Sequence, residues 1–415
     1  MNTRVALFPG QSKRFRVAPV RLGIQLPDGR EGKGRLMKPS SFRLRAVSGN
    51  ARLGEWETSR GVVHTPCFMP VGTRAAVKGV LPSLLRSIGA QIVLANTFHL
   101  HLRPGEETIE RLGGLHEFMR YDGPMLTDSG GYQVFSLTDI RSLTEEGVAF
   151  RSPIDGAKCF LSPEKAMEIQ RALGPDFAMA FDECPPADME GQALRESMER
   201  TLRWLERCLT VRLQPHQCLL PIVQGGMDAE LRHASARRAL GIAPDAAGYA
   251  IGGLAVGEAK PITYRMLEHS VAELPGDRPR YMMGIGTPED LVWAVDRGVD
   301  MFDCVLPSRN ARHARVFAGG GMLNLRNSRF REDPLPILEG CDCPACSGGF
   351  SRAYLHHLQQ CGEALGGTLC TLHNLRVLLR QCEEMRSAIA EGRWDDYKAE
   401  FFSVYTGVPA DPTAG

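Results

Sequence analysis

Residues 281–307, "YMMGIGTPEDLVWAVDRGVDMFDCVLP", decide the fold. A short apolar run (281–286) ends in glycines, and Thr287–Pro288 then open a helical pattern. A second apolar run (300–307) follows at once. Runs this short, bounded by turn and helix-start signals, read as buried parallel strands joined through a helix. The same alternation extends upstream through "CFMPVG" (67–72), "QIVLAN" (91–96), "PMLTDSG" (124–130), "FAMAFDEC" (177–184), "LLPIVQGG" (219–226) and "GYAIGGL" (248–254). "SPEKAMEIQRAL" marks another helix start in the same series. Eight buried strands with helices between them predict a (β/α)8 TIM barrel. Residues 132–160 read as an inserted hairpin, 308–383 as an appended subdomain, and 41–402 as the catalytic domain, with a flexible tail at 403–415.

The 415 residues are 43% apolar, enough for one large core with a small subdomain. No apolar run approaches the ~18 residues that a membrane-spanning helix needs. The start lacks the continuous apolar stretch of a secretory signal. Twelve cysteines without scaffold spacing suit a reducing, cytoplasmic setting. The net charge of +1 hides an uneven distribution. Residues 1–45 hold eleven Lys/Arg against Asp28 and Glu31, leaving the rest at −8. Any anionic partner must therefore meet a local patch. The basic arm, 1–40, could bind nucleic acid or address an organelle. The plainer reading is a disordered extension, with a start site called upstream of Met37 as one origin.

The strands end in polar residues: Asn96, Asp128, Asp182, Gln224, Gly252–Gly253 and Asp303. In a barrel these converge on one rim, where chemistry is built. Asp and Asn also cap helices, but three aspartates and a glutamine on four strands point to a site. Asp303, set in apolar surroundings, suits a nucleophile, with Asp128 as a second carboxyl that shuttles a proton. Gly130 and Gly131 let a flat ligand approach, and Tyr132 offers a ring for stacking. Asp182 and Gln224 suit the edge of a purine. The strip 308–331 carries six arginines and no acidic residue, which reads as a nucleic-acid track.

"CDCPACSGGF" (341–350) sets three cysteines in a C-x-C-x2-C pattern. Thiolates so closely spaced imply a metal. From spacing alone His356, His357, Cys361, Cys370 and His373 all compete for the fourth place.

Together "TDSGGYQVFSL", "FDEC", "VQGG", "GYAIGGLAVGE", "YMMGIGTPEDL", "MFDCVLPSRNAR" and "CDCPAC" resemble bacterial-type tRNA-guanine transglycosylases, in the right order over roughly 40–390. The resemblance implies exchange of guanine 34 in tRNAs with GUN anticodons (Asp, Asn, His, Tyr) for a 7-deazaguanine in queuosine biosynthesis. It implies Asp303 as nucleophile and Asp128 as proton acceptor. Ser129, Gly130, Gly131, Tyr132, Asp182, Gln224, Gly253, Leu254, Glu258 and Met283 would form the base pocket. Gly284, Ile285, Gly286, Thr287, Pro288, Glu289 and Asp290, with Ser308, Arg309, Asn310, Ala311 and Arg312, would contact RNA. Cys341, Cys343, Cys346 and His373 would hold one structural Zn2+ per chain. A homodimer is implied as well, with Phe350 where the dimer aromatic is often Trp. His313–Ala314 replaces the usual Asn-Gly turn, which predicts a differently shaped loop. Val256 narrows the pocket beside C7, and Glu258 below it suits a small aminomethyl cation better than queuine. A silent RNA-binding subunit of the same family should lack the nucleophile, whereas this chain keeps both carboxylates. A metal-dependent hydrolase would need rim histidines, and His99 and His101 have no partners on later strands.

Overall fold

The protein, seen as a computed structural model, is described here over residues 40–137 and 140–407. The basic arm up to Met37 and the last residues of the tail fall outside these. Eight short parallel strands form the barrel, and each coincides with an apolar run. They are β1 (Cys67–Gly72), β2 (Val93–Ala95), β3 (Met125–Thr127) and β4 (Phe177–Met179). β5 (Cys218–Leu220, continued by Ile222–Val223), β6 (Tyr249–Ile251), β7 (Arg280–Met282) and β8 (Met301–Cys304) complete it. Parallel pairing runs from β5 through β4, β3, β2, β1, β8, β7 and β6 back to β5. The break inside β5 is Pro221, which has no N–H to give the ladder. Its carbonyl still accepts from Ala250 N (2.8 Å), and Leu220 O accepts from Ala180 N (2.9 Å), so the circuit closes.

Alternation along each strand sorts the core into two layers. Met69, Leu94, Leu126, Met179, Leu220, Tyr281 and Met301 cluster together inside the barrel. Phe68, Ala95, Ala178, Ile251, Met282 and Phe302 belong to the outer layer, with the helices. The expected helix starts are present: Ser162 caps Pro163–Leu173 through Lys165 N, and Thr287 caps Pro288–Val295 through Asp290 N.

Three elements depart from the reading. An antiparallel meander (Ser40–Ser48, Ala51–Thr58, Gly61–Thr65) precedes the first expected strand. It lies against the amino ends of the barrel strands, where Trp56 stacks on Phe177 at 3.9 Å and Arg52 reaches Asp300 at 3.4 Å. Arg43 and Arg45, counted with the basic arm, instead pair with Glu57 and Glu55 across this meander. The insertion after β3 is a helix (Gly131–Leu137) and three strands (Ile140–Leu143, Val148–Arg151, Lys158–Leu161), not a hairpin. The last helix, Trp394–Val404, extends past residue 403, and Thr406 N donates to Gly320 O (3.0 Å).

Beyond β8, helix Leu306–Arg312 leads to a hairpin (Arg315–Ala318, Gly321–Asn324) and the cysteines. A separate apolar cluster fills this region, from Ala311 to Cys370. Helix Ala364–Ala390 contributes Leu369 and Cys370 to that cluster and Leu372, Leu375 and Leu378 to the main core. One rigid element thus ties the two together. Ala314 takes φ +62°, a left-handed conformation that a residue with a Cβ seldom adopts.

Candidate active site

The carboxyl ends of β2, β3, β4, β5, β6, β7 and β8 place their polar residues around one mouth. Asp128, just past β3, is buried. Thr97 N donates to its Oδ1 (2.9 Å), Gly130 N donates to the same oxygen (3.2 Å), and Asn96 Nδ2 donates to Oδ2. Burial nevertheless outweighs these donors, and with Asp303 repelling from nearby the carboxyl is pushed up to about 7.

Asp303 lies in β8 and is half-buried. Tyr281 Oη donates to Oδ1 at 2.6 Å and Gly284 N to the same oxygen at 2.9 Å. Both bonds fall on Oδ1, so Oδ2 keeps its lone pairs for an electrophile. Burial raises this carboxyl too, against the lowering pull of its two donors.

Beside this pair lies a polar wall. Ser129 Oγ donates to Asp182 Oδ1 (2.9 Å) and Gln224 Nε2 to Asp182 Oδ2 (2.7 Å). Burial lifts Asp182 to about 6. Gln224 is buried and its Oε1 has no hydrogen-bond partner among the described residues. An orphaned acceptor there marks a place for a ligand donor. Glycine is required around it: a Cβ on Gly253 would meet Gln224 Oε1 at 2.3 Å, and one on Gly131 would meet Asp182 O at 2.6 Å. Leu254 is buried, Met283 packs partly buried against the barrel interior, and Tyr132 stands exposed on the helix after β3. Glu258 accepts from Ala255 N (2.5 Å), Val256 N (2.9 Å) and Thr263 Oγ1 (2.6 Å). These donors outweigh burial and hold its carboxyl below the usual range. Its oxygens brace the loop; Val256 is half-buried.

The proposed RNA-contacting segments separate. Gly284 N serves Asp303, Ile285 and Pro288 are buried, and a Cβ on Gly286 would strike Cys304 at 2.3 Å. Thr287, Glu289 and Asp290 cap or pair within the helix region, Glu289 and Asp290 both with Lys260. On helix Leu306–Arg312, Ser308 and Ala311 are buried and Asn310 is half-buried. Arg312 Nη1 donates to Ser308 O (3.0 Å), while the Arg309 side chain is exposed and, among the described residues, unpaired.

The thiols of Cys341, Cys343 and Cys346 lie 3.7, 3.3 and 3.5 Å from His373 Nδ1. Three thiolates and one imidazole around tetrahedral zinc would stand about 3.5 Å apart, given the usual bond lengths. His373 Nε2 meets Phe317 O at 2.6 Å, which puts the ring proton there and leaves Nδ1 as the ligand atom. The four form a buried metal-capable cluster that fits zinc. The rival ligands point elsewhere: His356 Nδ1 bonds Leu325 O (2.7 Å), and His357 pairs loosely with exposed Cys361.

Reading the sequence missed Tyr281, Thr97 and Arg232. Tyr281 opens an apolar strand and reads as core. Arg232 lies in a helix whose other arginines face solvent. Neither carries a local signal of its role.

The family model described as queuine tRNA-ribosyltransferase matches residues 47–407. A queuine tRNA-ribosyltransferase of Symbiobacterium thermophilum is 54% identical over 352 residues, covering 85% of this chain and 87% of that relative. One from Thermus thermophilus is 53% identical over 88% of this chain and 94% of the relative. One from Vibrio cholerae is 50% identical over 87% and 95% respectively. Matched along nearly its whole barrel and zinc region, the chain belongs to the queuine tRNA-ribosyltransferase family, the tRNA-guanine transglycosylases.

Proposed function

We propose that this protein exchanges guanine 34 of GUN-anticodon tRNAs for 7-aminomethyl-7-deazaguanine through a covalent Asp303–ribosyl intermediate. The observation that carries this reading is the paired carboxyls at the mouth. Asp303 is anchored through Oδ1 alone, and Asp128 is held near neutrality beside it. Oδ2 of Asp303 attacks C1′ of the ribose. The bond from C1′ to the base breaks, its electron pair leaving with guanine, and Asp128 supplies the proton. The incoming base then loses its ring N–H proton to Asp128, attacks C1′ and frees Asp303. Asp182, Gln224 and the Gly253 backbone suit a guanine edge, with Ser129, Gly130 and Gly131 shaping the approach, and Tyr132 and Met283 flank its faces. The base must leave its stack to reach this mouth.

The aminomethyl preference is supported by the loop after Gly253. The Ala255 N–H is tied back to Glu258, so the Leu254 carbonyl on the same peptide faces away from that carboxylate. A carbonyl there accepts from a cationic amine. Exposed Arg309, close enough to Arg312 for the two charges to repel, lies on the helix that follows Asp303 and offers positive charge for the anticodon backbone or bases. Four protein ligands leave zinc no open position, so it serves to hold the 308–383 region. Phe350 stacks on Tyr354 at 5.7 Å, and Tyr354 is exposed, which supports an aromatic dimer contact. No helix among the described residues is long and apolar enough to cross a membrane, in keeping with a cytoplasmic enzyme. Incubation with labelled guanine and a GUN-anticodon tRNA tests the function: label should enter the RNA, and a protein that leaves the RNA unlabelled lacks the activity.

A further inference from the structure

Helix Ala229–Ile242 carries Arg232 in its first turn, fully buried. No carboxylate pairs with it among the described residues. Its Nε donates to Gly226 O (2.9 Å), Nη1 to Gly252 O (2.7 Å) and Val223 O (3.3 Å), and Nη2 to Gly253 O (3.0 Å). Burial pulls its pKa down to about 10. The helix gains nothing from it: Asp228 already supplies the cap through Leu231 N (2.9 Å), and the dipole disfavours a cation at this end. An unpaired buried cation is costly. What its partners share is position, at the carboxyl ends of β5 and β6 on both sides of Gln224.

A trans peptide sets its N–H opposite its C=O. With Gly252 O and Gly253 O turned onto the guanidinium, the N–H groups of Gly253 and Leu254 point away from it. Gly253 N–H lies toward the Cys184 thiol, whose charged form it favours. Neither N–H meets a carbonyl acceptor among the described residues. Two donors therefore lie on the face of these peptides turned from Arg232, one of them resting on the weak acceptor Cys184, with the orphaned Gln224 Oε1 against Gly253.

We propose that Arg232 is a positioning residue for base transfer, turning the Gly252–Leu254 backbone so that two N–H groups face the purine oxygen. The inference rests on the transglycosylase reading above. While the base is leaving, the electron pair of the broken C1′ bond spreads onto that oxygen until Asp128 delivers its proton. A guanidinium bonded to the carbonyl end of the same peptides polarises them and strengthens their N–H donors. Glycine at 252 and 253 lets backbone form the wall, since a Cβ would meet Gln224 at 2.7 or 2.3 Å.

Arg232→Lys and Arg232→Met in the full-length protein test this by labelled-guanine exchange, with zinc content and melting measured alongside. 2-Aminopurine, which lacks the carbonyl oxygen on C6, serves as competitor. The wild type should favour guanine strongly. Both variants should keep zinc and hold the KM for tRNA, while the preference for guanine shrinks by about tenfold or more, further for Met than for Lys. Lys keeps the charge but reaches fewer carbonyls. If Met fails to fold, the Lys variant alone decides. A purely structural role would lower melting and leave base preference unchanged, and that result overturns the inference. A wild type that exchanges no guanine would instead remove the transglycosylase reading itself.

Discussion

Asp128 and Asp303 share a mouth but differ in how they are held. Asp128 is enclosed by three donors, Asn96, Thr97 and Gly130, and still rises to about 7. As the proposed proton donor to the departing base it must be protonated, so adduct formation should fall above about pH 7. In the proposed reaction Asp303 must be charged to attack, and its raised pKa bounds the acid side. Single-turnover adduct formation across pH should therefore show an alkaline limb near 7. Asp128→Asn should abolish that limb and slow the step by roughly two to four orders of magnitude. An unchanged limb in that variant would assign the titration to another group. Asp303, Asp128, Asp182 and Gln224 are legible in the sequence because they end apolar runs. Their partners Tyr281 and Thr97 are not, because both reach the carboxylates only after the barrel closes.

Among the elements, we propose that the loop following β6 sets which base the pocket admits. Gly252 and Gly253 bring backbone against Gln224, Ala255 takes φ +57°, and Glu258 braces the turn from below. Val256 is half-buried beside it. Val256→Gly should leave guanine exchange intact and raise kcat/KM for queuine by about tenfold, since removing one side chain shifts discrimination by ~1–3 kcal/mol. Competition of queuine against labelled guanine measures it, and wild-type queuine use at equal efficiency would sink the narrow-pocket account. The barrel strands were legible because each is a short apolar run punctuated by glycine or proline. The amino-terminal meander was not, because Leu44 and Val47 face solvent and Arg43 and Arg45 mask the alternation. Its partners, Phe177 and Asp300, lie far along the chain.

Across the whole molecule, helix Ala364–Ala390 joins the main core to the cluster around the cysteines, with His373 on its buried face. Loss of zinc should thus loosen the region that presents Arg309 and leave the barrel mouth intact. Cys343→Ala should lower zinc content and melting together. A variant with full stability and only a slower chemical step would make the metal catalytic. The cysteine spacing made a metal site legible but left five candidates for the fourth ligand; the resemblance pointed to His373, and the fold supplies the physical reason, since its Nδ1 faces all three thiols. The central claim is that this barrel lends one carboxylate to the ribose while the base is changed. Protein and GUN-anticodon tRNA, quenched in denaturant and digested, should yield one peptide carrying an abasic ribose ester on Asp303, absent from Asp303→Asn. Labelled guanine entering tRNA with no such ester, or with undiminished exchange by Asp303→Asn, would contradict it.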